Sequence, residues 1–445
     1  MNTYIDTVKL DDGNIQKYQV VTGFDWEDMK FGVPKFEKKV MVKFSNLYRL
    51  NIIPKDPSLY GILYFYQVPE SLELNLSNDT DLGEVYDKTI LVNYYFQKAS
   101  HEGKVKEVDE TLIFEDDNLQ RIFDELKSQK LVSSARGVKK DILFLPLYDG
   151  FGYMSSIKGH SLKVNSHFFL MEMFDRDSGY DLIGTPHSLA LYKNKILLPP
   201  LNHRKALLVQ EDGTVVIRHK ELAGMKITIG DKVFTNCSST KYFYRPETRV
   251  TDKVDGYDII IVNSEVVALK KGGQSRVPMA GFIIQVKGDV VLTSHSVEYE
   301  NKKNYKFGIQ VGPAMMIDGL KEVEMSCPMY DGNGAPYPST VYPMNFHKSR
   351  AARIGLGEID NKPILIWAEG AGKLGYIKGK ESCGASLSEF ADFCESKGIR
   401  NLVNLDGGGS AQLIYKDKKY LKIADRLDDT VTEDERPIPN CILIP

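Results

Sequence analysis

The sequence lacks the features that mark membrane-spanning and Sec-exported proteins. No run approaches the ~20 consecutive apolar residues that a membrane-spanning helix needs. The first ten residues alternate polar and apolar side chains, without the basic start and apolar core of a signal peptide. We therefore expect no membrane span, and a location in the cytoplasm or on a virion or phage tail rather than Sec export.

The chain also has few cysteines and a small net charge. Five cysteines are scattered over 445 residues, and none forms a Cys-x-x-Cys pair, which argues against zinc and dithiol chemistry. The net charge of −3 provides no field that would attract nucleic acid or an anionic membrane. With 42% hydrophobic and 26% charged residues, the chain has ordinary globular composition and length for two or three domains.

Residues 1–135 are predicted to form a mostly β accessory domain of unknown role. Short runs rich in β-branched and aromatic residues, at 40–44, 60–65 and 90–96, are typical of strands. One helix is predicted at 118–130 from the spacing of its apolar residues. No arrangement of residues in this part indicates chemistry.

Residues 136–445 are predicted to form an α+β catalytic domain that is rich in strands. Alternating patterns predict a strand at 162–169 and hairpins at 188–198, 206–218 and 258–269, followed by strands at 281–286 and 290–294.

The last third of the chain predicts a β-α-β unit with a right-handed crossover. Strands are expected at 363–368 and 401–405. Between them, Ser386 and Glu389 form a capping box, and Gly398 is placed to end the helix.

A glycine-rich loop follows the last of these strands. Asp406 is succeeded by Gly407, Gly408, Gly409 and Ser410. Backbone N–H groups of consecutive glycines can converge on an anion, although Asp-Gly is equally a hairpin turn signal. In a β-α-β unit, Glu369 and Asp406 would lie at the same sheet edge, where ligands bind in open α/β sheets, and this favours a shared site.

The chain from about residue 140 resembles the phosphodiester glycosidase family. The family's motif Asn-Leu-Asp-Gly-Gly-Gly-Ser is unchanged in this sequence, and other blocks follow in the family's order. The corresponding segments here are Asn165-Ser166-His167-Phe168-Phe169, Gly312-Pro313, Arg353 to Gly357, Glu369-Gly370, Asn404 to Ser410 and Glu435-Arg436-Pro437. Two departures concern substrate identity: Ser166 and His167 replace a glycine pair, and Glu369 replaces an aspartate.

The resemblance implies hydrolysis of a sugar-1-phosphodiester to free sugar and phosphomonoester, with a carbohydrate or glycosyl-phosphodiester as partner. It implies catalytic roles for Asp406, Glu369 and Arg353. Substrate-binding roles are expected for Asn165, His167, His187, Gly407, Gly408, Gly409 and Ser410. No cofactor is expected; a divalent cation could sit at Asp406, but no ligand cluster requires one.

Other interpretations of these residues remain open. Arg353 could form a structural salt bridge, Asn165 could stabilise a turn, and lone histidines such as His167 and His187 are more often structural. The chain could also hydrolyse ordinary glycosidic bonds of a polysaccharide or exopolysaccharide. A third alternative is a non-catalytic glycan-binding module of a surface or phage-tail protein.

Overall fold

The structure is a computed structural model. It describes residues 1–34, 154–170, 184–200, 204–245, 248–301, 303–322, 348–372, 374–426 and 438–445, the single residues 178, 180 and 436, and four short strands between residues 47 and 114. The predicted strands at 40–44 and 90–96, the first five residues of the strand predicted at 60–65, and the helix predicted at 118–130 lie outside the described residues.

Strands dominate the described chain. In the first half they are β1 (Asn2–Lys9), β2 (Ile15–Thr22), β3 (Lys30–Gly32), β4 (Leu47–Tyr48), β5 (Phe65–Tyr66), β6 (Val105–Val108), β7 (Thr111–Phe114), β8 (Leu162–Asn165), β9 (Ala190–Tyr192), β10 (Lys195–Leu198), β11 (Lys205–Gln210), β12 (Val215–His219), β13 (Lys226–Ile229) and β14 (Lys232–Phe234). In the second half they are β15 (Thr240–Tyr244), β16 (Lys253–Val262), β17 (Glu265–Gly273), β18 (Gly281–Lys287), β19 (Val297–Glu300), β20 (Tyr305–Ile309), β21 (Ala314–Ile317), β22 (Leu320–Lys321), β23 (Arg353–Ile359), β24 (Lys362–Ala368), β25 (Asn401–Asn404), β26 (Leu413–Tyr415) and β27 (Cys441–Ile444).

Helical structure is sparse in the described part of the chain. The α-helix described there is α1 (Leu387–Ser396), and short 3-10 turns occupy Trp26–Asp28, Met154–Ser156 and Gly408–Ser410. No described helix has the length and apolar character needed to cross a membrane. The fold is therefore mostly β.

Most of the strands predicted in the described middle region are confirmed. The hairpin of β9 and β10 turns at Lys193 and Asn194, which both adopt the left-handed conformation of a tight hairpin turn. The pairs β11 with β12 and β16 with β17 are likewise antiparallel hairpins. The strand predicted at 290–294 is wrong, because that stretch is irregular and the strand β19 begins only at Val297.

A seven-stranded sheet carries the C-terminal motif. Its order is β1-β2-β24-β23-β25-β21-β22, and every neighbouring pair is antiparallel. Strands β24 and β25 run in the same direction, but β23 lies between them and pairs with both. The strand–helix–strand order is thus present, inside an antiparallel sheet rather than as two adjacent parallel strands.

The N-terminal residues are part of this same architecture. Strand β2 pairs with β24 of the seven-stranded sheet, and β3 pairs with β27, which ends at residue 444. The predicted boundary at residue 135 therefore does not separate residues 1–34 from the C-terminal part of the chain.

Helix α1 packs on one face of the seven-stranded sheet. Both hydrogen bonds of the predicted capping box are present: the Ser386 hydroxyl accepts from the Glu389 N–H, and the Glu389 carboxylate accepts from the Ser386 N–H. Gly398, with a φ of +78°, follows the last turn as predicted. The ring of Phe393 stacks on Tyr18 of β2 with centroids 3.8 Å apart.

Strand β24 is buried on both faces because the sheet has a layer on each side. Ile364 and Ile366 pack toward α1, whereas Leu365 and Trp367 pack into the main core. The main core also contains side chains from the sheet of order β26-β8-β27-β3 and from the sheet of order β10-β9-β20-β11-β12. Continuous burial explains why β24 reads as an unbroken apolar run.

Two glycines of β23 allow close packing beneath α1. A side chain at Gly355 would lie 2.9 Å from the ring of Phe390 of the helix and from Leu402 of β25. One at Gly357 would lie 2.5 Å from the Asn401 carbonyl oxygen. The close approach of neighbouring elements therefore requires glycine at both positions.

Candidate active site

The ends of three strands meet at one edge of the seven-stranded sheet. Arg353 begins β23 opposite Ala368, the last residue of β24, and Asn404 at the end of β25 pairs with Gly355. The loop after β25 returns to the same place, because the Gly408 N–H donates to the Ala352 carbonyl at 2.8 Å. The structure thus brings Arg353, Glu369 and Asp406 to one edge, including the two carboxyls that the strand directions were expected to place together.

Asp406 is the acid at this edge whose pKa burial shifts. It is 8% exposed, and burial raises the pKa of its carboxyl from the ordinary 3.8 to about 7. A hydrogen bond from the Ser410 side chain, the positive charge of Arg436 and the Gly407 N–H each oppose this rise in pKa. The carboxyl can therefore gain or lose a proton near neutral pH, as an acid–base catalyst requires.

The glycine loop after Asp406 is tightly bound to its surroundings. The Gly408 N–H donates to the Ala352 carbonyl, and Gly408 has a φ of +57°, a conformation that favours glycine. The N–H groups of Ser410 and Ala411 close the 3-10 turn on the carbonyls of Gly407 and Gly408. The predicted convergence of three glycine N–H groups on one anion is therefore not the arrangement found, since the Gly408 N–H already has a partner.

An ion pair lies against Gly409. The Arg436 guanidinium donates twice to the Asp425 carboxylate, at 2.7 and 3.1 Å, and also contacts the Ser410 hydroxyl at 3.4 Å. A side chain at Gly409 would lie 2.2 Å from Arg436 and 2.4 Å from Asp425. Glycine at this position thus makes room for the ion pair beside the Asp406 loop.

Asn165 holds the loop by both ends of its amide. Its Nδ2 donates to the Asp406 carbonyl at 2.8 Å, and its Oδ1 accepts from the Gln412 N–H at 2.8 Å. The side chain is 1% exposed. This geometry matches the turn-stabilising alternative for Asn165, because its contacts go to backbone groups of the loop.

Asn165→Ala is expected to destabilise the protein and reduce activity together. Each buried backbone group left without a partner costs about 1–3 kcal/mol, so the loss of both partners should lower the free energy of unfolding by about 2–6 kcal/mol. Denaturant unfolding of Asn165→Ala and of a surface control, Asn304→Ala, measures this, with the control within about 0.5 kcal/mol of wild type. Unchanged stability in Asn165→Ala, with only a raised KM, would instead indicate direct substrate binding.

Arg353 lies under the loop. It is 1% exposed; Nε donates to the Ala385 carbonyl at 3.0 Å and Nη2 to the Ser349 carbonyl at 2.7 Å. Burial lowers the pKa of its guanidinium to about 10, so the group remains charged at neutral pH. Its Cδ would be 3.8 Å from a side chain at Gly407, so the aliphatic part of the Arg353 side chain lies beside the loop.

Glu369 follows β24 and is 3% exposed. Its Oε2 accepts from the Lys422 N–H at 2.8 Å, and its backbone carbonyl accepts from the Ser382 hydroxyl at 2.7 Å. The next residue, Gly370, packs so tightly that a side chain there would lie 2.6 Å from the Ala352 nitrogen. Ala352 thus separates the Glu369 turn on one side from the Asp406 loop on the other.

Comparison with known proteins finds a family match in the C-terminal part of the molecule. Residues 227–445 match the phosphodiester glycosidase family. The resemblance predicted from the sequence is thereby confirmed, although the matching region begins later than residue 140. It contains Arg353, Glu369, Asp406 and Arg436, whereas Asn165, His167 and His187 precede it.

Solved structures similar to this chain share little sequence with it. A hypothetical protein from Synechocystis is 13% identical, with a TM-score of 0.40 over 99% of this chain, which spans 61% of that protein's length. A putative exported protein from Burkholderia pseudomallei is also 13% identical, with a TM-score of 0.39 over 100% of this chain and 96% of the other.

A third similar solved structure comes from zebrafish. The catalytic domain of N-acetylglucosamine-1-phosphodiester alpha-N-acetylglucosaminidase, auto-inhibited by its pro-peptide, is 16% identical with a TM-score of 0.25, over 68% of this chain and 98% of that domain. No curated protein matches the sequence.

The two predicted histidines lie in the protein interior. The His167 Nε2 is 2.9 Å from the Leu189 carbonyl, so it carries the proton, and Nδ1 accepts from the Asn440 amide at 2.8 Å. Burial lowers the pKa of His167 to about 4 and that of His187 to about 3. Both imidazoles are therefore neutral at pH 7, which argues against their action as cationic proton donors.

Sequence reasoning did not place Arg436, Asp425 or Arg426 in the site. Arg436 belongs to the Glu-Arg-Pro segment that the family resemblance had singled out, so a signal for it was present. Asp425 and Arg426 have no comparable motif. Within the described ranges, no group of three His, Cys, Asp or Glu side chains stands close enough to hold a metal ion.

Proposed function

We propose that the protein is a hydrolase that cleaves a sugar-1-phosphodiester to free sugar and phosphomonoester. The observation that carries the proposal is Asp406, a buried carboxyl whose pKa of about 7 suits proton transfer, in a loop flanked by Arg353 and Arg436. The family match to residues 227–445 supports the reaction class.

In the proposed reaction, the bond between the anomeric carbon and the phosphate oxygen breaks. Its electron pair leaves with the phosphoryl group, and the oxygen of water ends on the anomeric carbon. Asp406, protonated through burial, is assigned as the acid that protonates the departing oxygen, because a carboxyl with a raised pKa commonly takes this role. Nearby guanidinium charge stabilises the negative charge that builds on the departing oxygen before the proton has been transferred to it.

Glu369 is assigned as the second carboxylate, which activates water or attacks the anomeric carbon. The Lys422 N–H fixes one of its oxygens, so the orientation of the carboxylate is set before substrate binds. Replacement of the family's aspartate by glutamate adds a methylene group, which lengthens the reach of the carboxylate from the strand end.

The proposal is tested by incubating the purified protein with a panel of sugar-1-phosphodiesters that vary in sugar and aglycone. The expected result is stoichiometric release of free sugar and phosphomonoester, with incorporation of oxygen from ¹⁸O-water into the sugar and not into the phosphate. ¹⁸O in the phosphate would show P–O cleavage and contradict the assigned bond. Turnover of polysaccharides without phosphomonoester release would favour the alternative of an ordinary glycosidase, and binding without turnover would favour a glycan-binding module.

A further inference from the structure

Arg426 carries a buried guanidinium, one nitrogen of which has no partner in the described part of the chain. The residue is 3% exposed, and Nη1 donates to the carbonyls of Ile423 at 2.8 Å and Gly370 at 3.1 Å. Nη2 is also buried, yet it has no hydrogen-bond partner among the residues that the structure describes. A buried cationic donor without an acceptor is costly, so this position favours an anion that supplies the missing acceptor.

The surroundings of Arg426 are shaped to keep this guanidinium in place. A side chain at Gly372 would lie 3.3 Å from its Cγ and 3.4 Å from its Nε, so glycine leaves the room that Arg426 occupies. No acidic side chain in the described ranges forms a salt bridge with Arg426, in contrast to Arg436, which is paired with Asp425. Among the described residues, no carboxylate therefore neutralises the positive charge of Arg426.

Arg426 also connects the two halves of the candidate active site. It bonds the turn after Glu369, while the preceding residue, Asp425, lies against Gly409 of the Asp406 loop. Both the turn and the loop pack against Ala352. A group held by Arg426 would thus lie at the same sheet edge as the two carboxyls.

We propose that Nη2 of Arg426 binds an oxygen of the substrate's phosphoryl group, a binding role that rests on the proposed function. Phosphate matches the guanidinium in shape and in charge, and a neutral sugar hydroxyl matches it in neither. Arg436 is anchored by Asp425 beside the Asp406 loop, whereas Nη2 of Arg426 donates to none of the described residues. The two arginines therefore have different tasks: Arg436 places positive charge beside the Asp406 loop, and Arg426 holds a phosphoryl oxygen directly.

The test is a calorimetric titration of the full chain with inorganic phosphate, which needs no turnover. Wild type is expected to bind phosphate, and Arg426→Gln is expected to bind it at least tenfold more weakly. Arg400→Gln is the matched control, because Arg400 is exposed and lies just before β25, at the opposite end of that strand from Asp406. Its affinity should equal that of wild type.

A second variant keeps the test decisive where Arg426→Gln does not fold. Gly372→Ala retains Arg426 but places a methyl group in tight contact with its side chain, and should weaken phosphate binding by a smaller factor. Phosphate affinity in folded Arg426→Gln equal to wild type, or no phosphate binding by wild type at 50 mM, would overturn the inference. Preferential Arg426-dependent binding of glucuronate over phosphate would overturn the phosphoryl assignment and indicate an acidic sugar.

The outcomes for this inference and for the proposed function are separable. Arg426-dependent phosphate binding without cleavage of any sugar-1-phosphodiester supports the inference and contradicts the proposed function. Cleavage of a diester with kcat/KM unchanged in Arg426→Gln supports the proposed function and contradicts the inference about Arg426.

Discussion

Asp406→Asn is expected to abolish activity and, at the same time, to stabilise the protein at alkaline pH. An amide cannot deliver the proton that the departing phosphate oxygen receives, so kcat/KM should fall by about 10²–10⁴-fold. Stability should change in the opposite direction because burial disfavours the ionised carboxylate.

The gain in stability of Asp406→Asn depends on pH because the pKa of Asp406 is raised in the folded protein. The folded protein keeps the Asp406 proton up to a pKa of about 7, whereas the unfolded chain loses it near 3.8. Asp406 thus contributes stability below pH 4 that is lost as the pH rises through 7. A shift of about three pKa units corresponds to about 4 kcal/mol, an upper bound because the amide also changes the hydrogen bonds to Ser410 and Gly407.

Thermal unfolding of wild type, Asp406→Asn and the exposed control Asp360→Asn at pH 4 and pH 8 tests this linkage. Asp360 adopts a left-handed turn conformation that asparagine also tolerates, so the control should follow wild type at both pH values. Asp406→Asn should exceed wild type in Tm at pH 8 and not at pH 4. An equal Tm at pH 8, or retained activity, would show that Asp406 is not the buried acid of the reaction.

Local signals in the sequence predicted the local parts of this site. The capping box at Ser386, the glycine at 398 and the apolar run of β24 depend on residues close in the chain, and all three are confirmed. The family motif placed Asp406 at a strand end, where the structure also has it. These features are set by short-range hydrogen bonds and by burial pattern, which a single sequence displays directly.

Strand β23 shows what a single sequence conceals. Gly355 and Gly357 weaken its strand pattern, yet the strand inserts between β24 and β25 and makes the whole sheet antiparallel. Those glycines are required by Phe390 and Leu402, which are 35 and 47 residues away from Gly355 in the chain. A requirement imposed by tertiary packing overrides local propensity, and no local pattern reports it.

Distance along the chain also explains why the contacts of Asn165 could not be predicted. Its partners, Asp406 and Gln412, are 241 and 247 residues away, so the sequence identified a polar corner but not what the amide contacts. Burial likewise determines the protonation state of the two histidines. The pKa of His167 and that of His187 are lowered by surroundings that only the folded chain creates.

Arg436→Gln is expected to reduce activity by about 10²-fold or more and to destabilise the protein. The substitution removes a charge beside the Asp406 loop and leaves the Asp425 carboxylate, 13% exposed, without its bidentate partner. Losing one member of such a pair costs on the order of 2–3 kcal/mol, because the other remains desolvated. Denaturant unfolding and steady-state kinetics measure the two effects.

The pH profile separates an electrostatic role of Arg436 from a purely structural one. Its positive charge lowers the pKa of Asp406, so removing it should raise that pKa and move the alkaline limb of kcat/KM to higher pH. Arg436→Lys, which keeps the charge but loses the planar fork, should leave the limb near its wild-type position while weakening the contact with Asp425.

The double variant Arg436→Gln/Asp425→Asn measures how the two charges depend on each other, as in a double-mutant cycle. With both charges removed, no unpaired carboxylate remains beside Gly409, so most of the lost stability should return. Activity should stay low, because the charge that balances the developing phosphate is still absent. Recovery of activity together with stability would mean that Arg436 acts only by holding the loop, and would remove it from the electrostatics of the reaction.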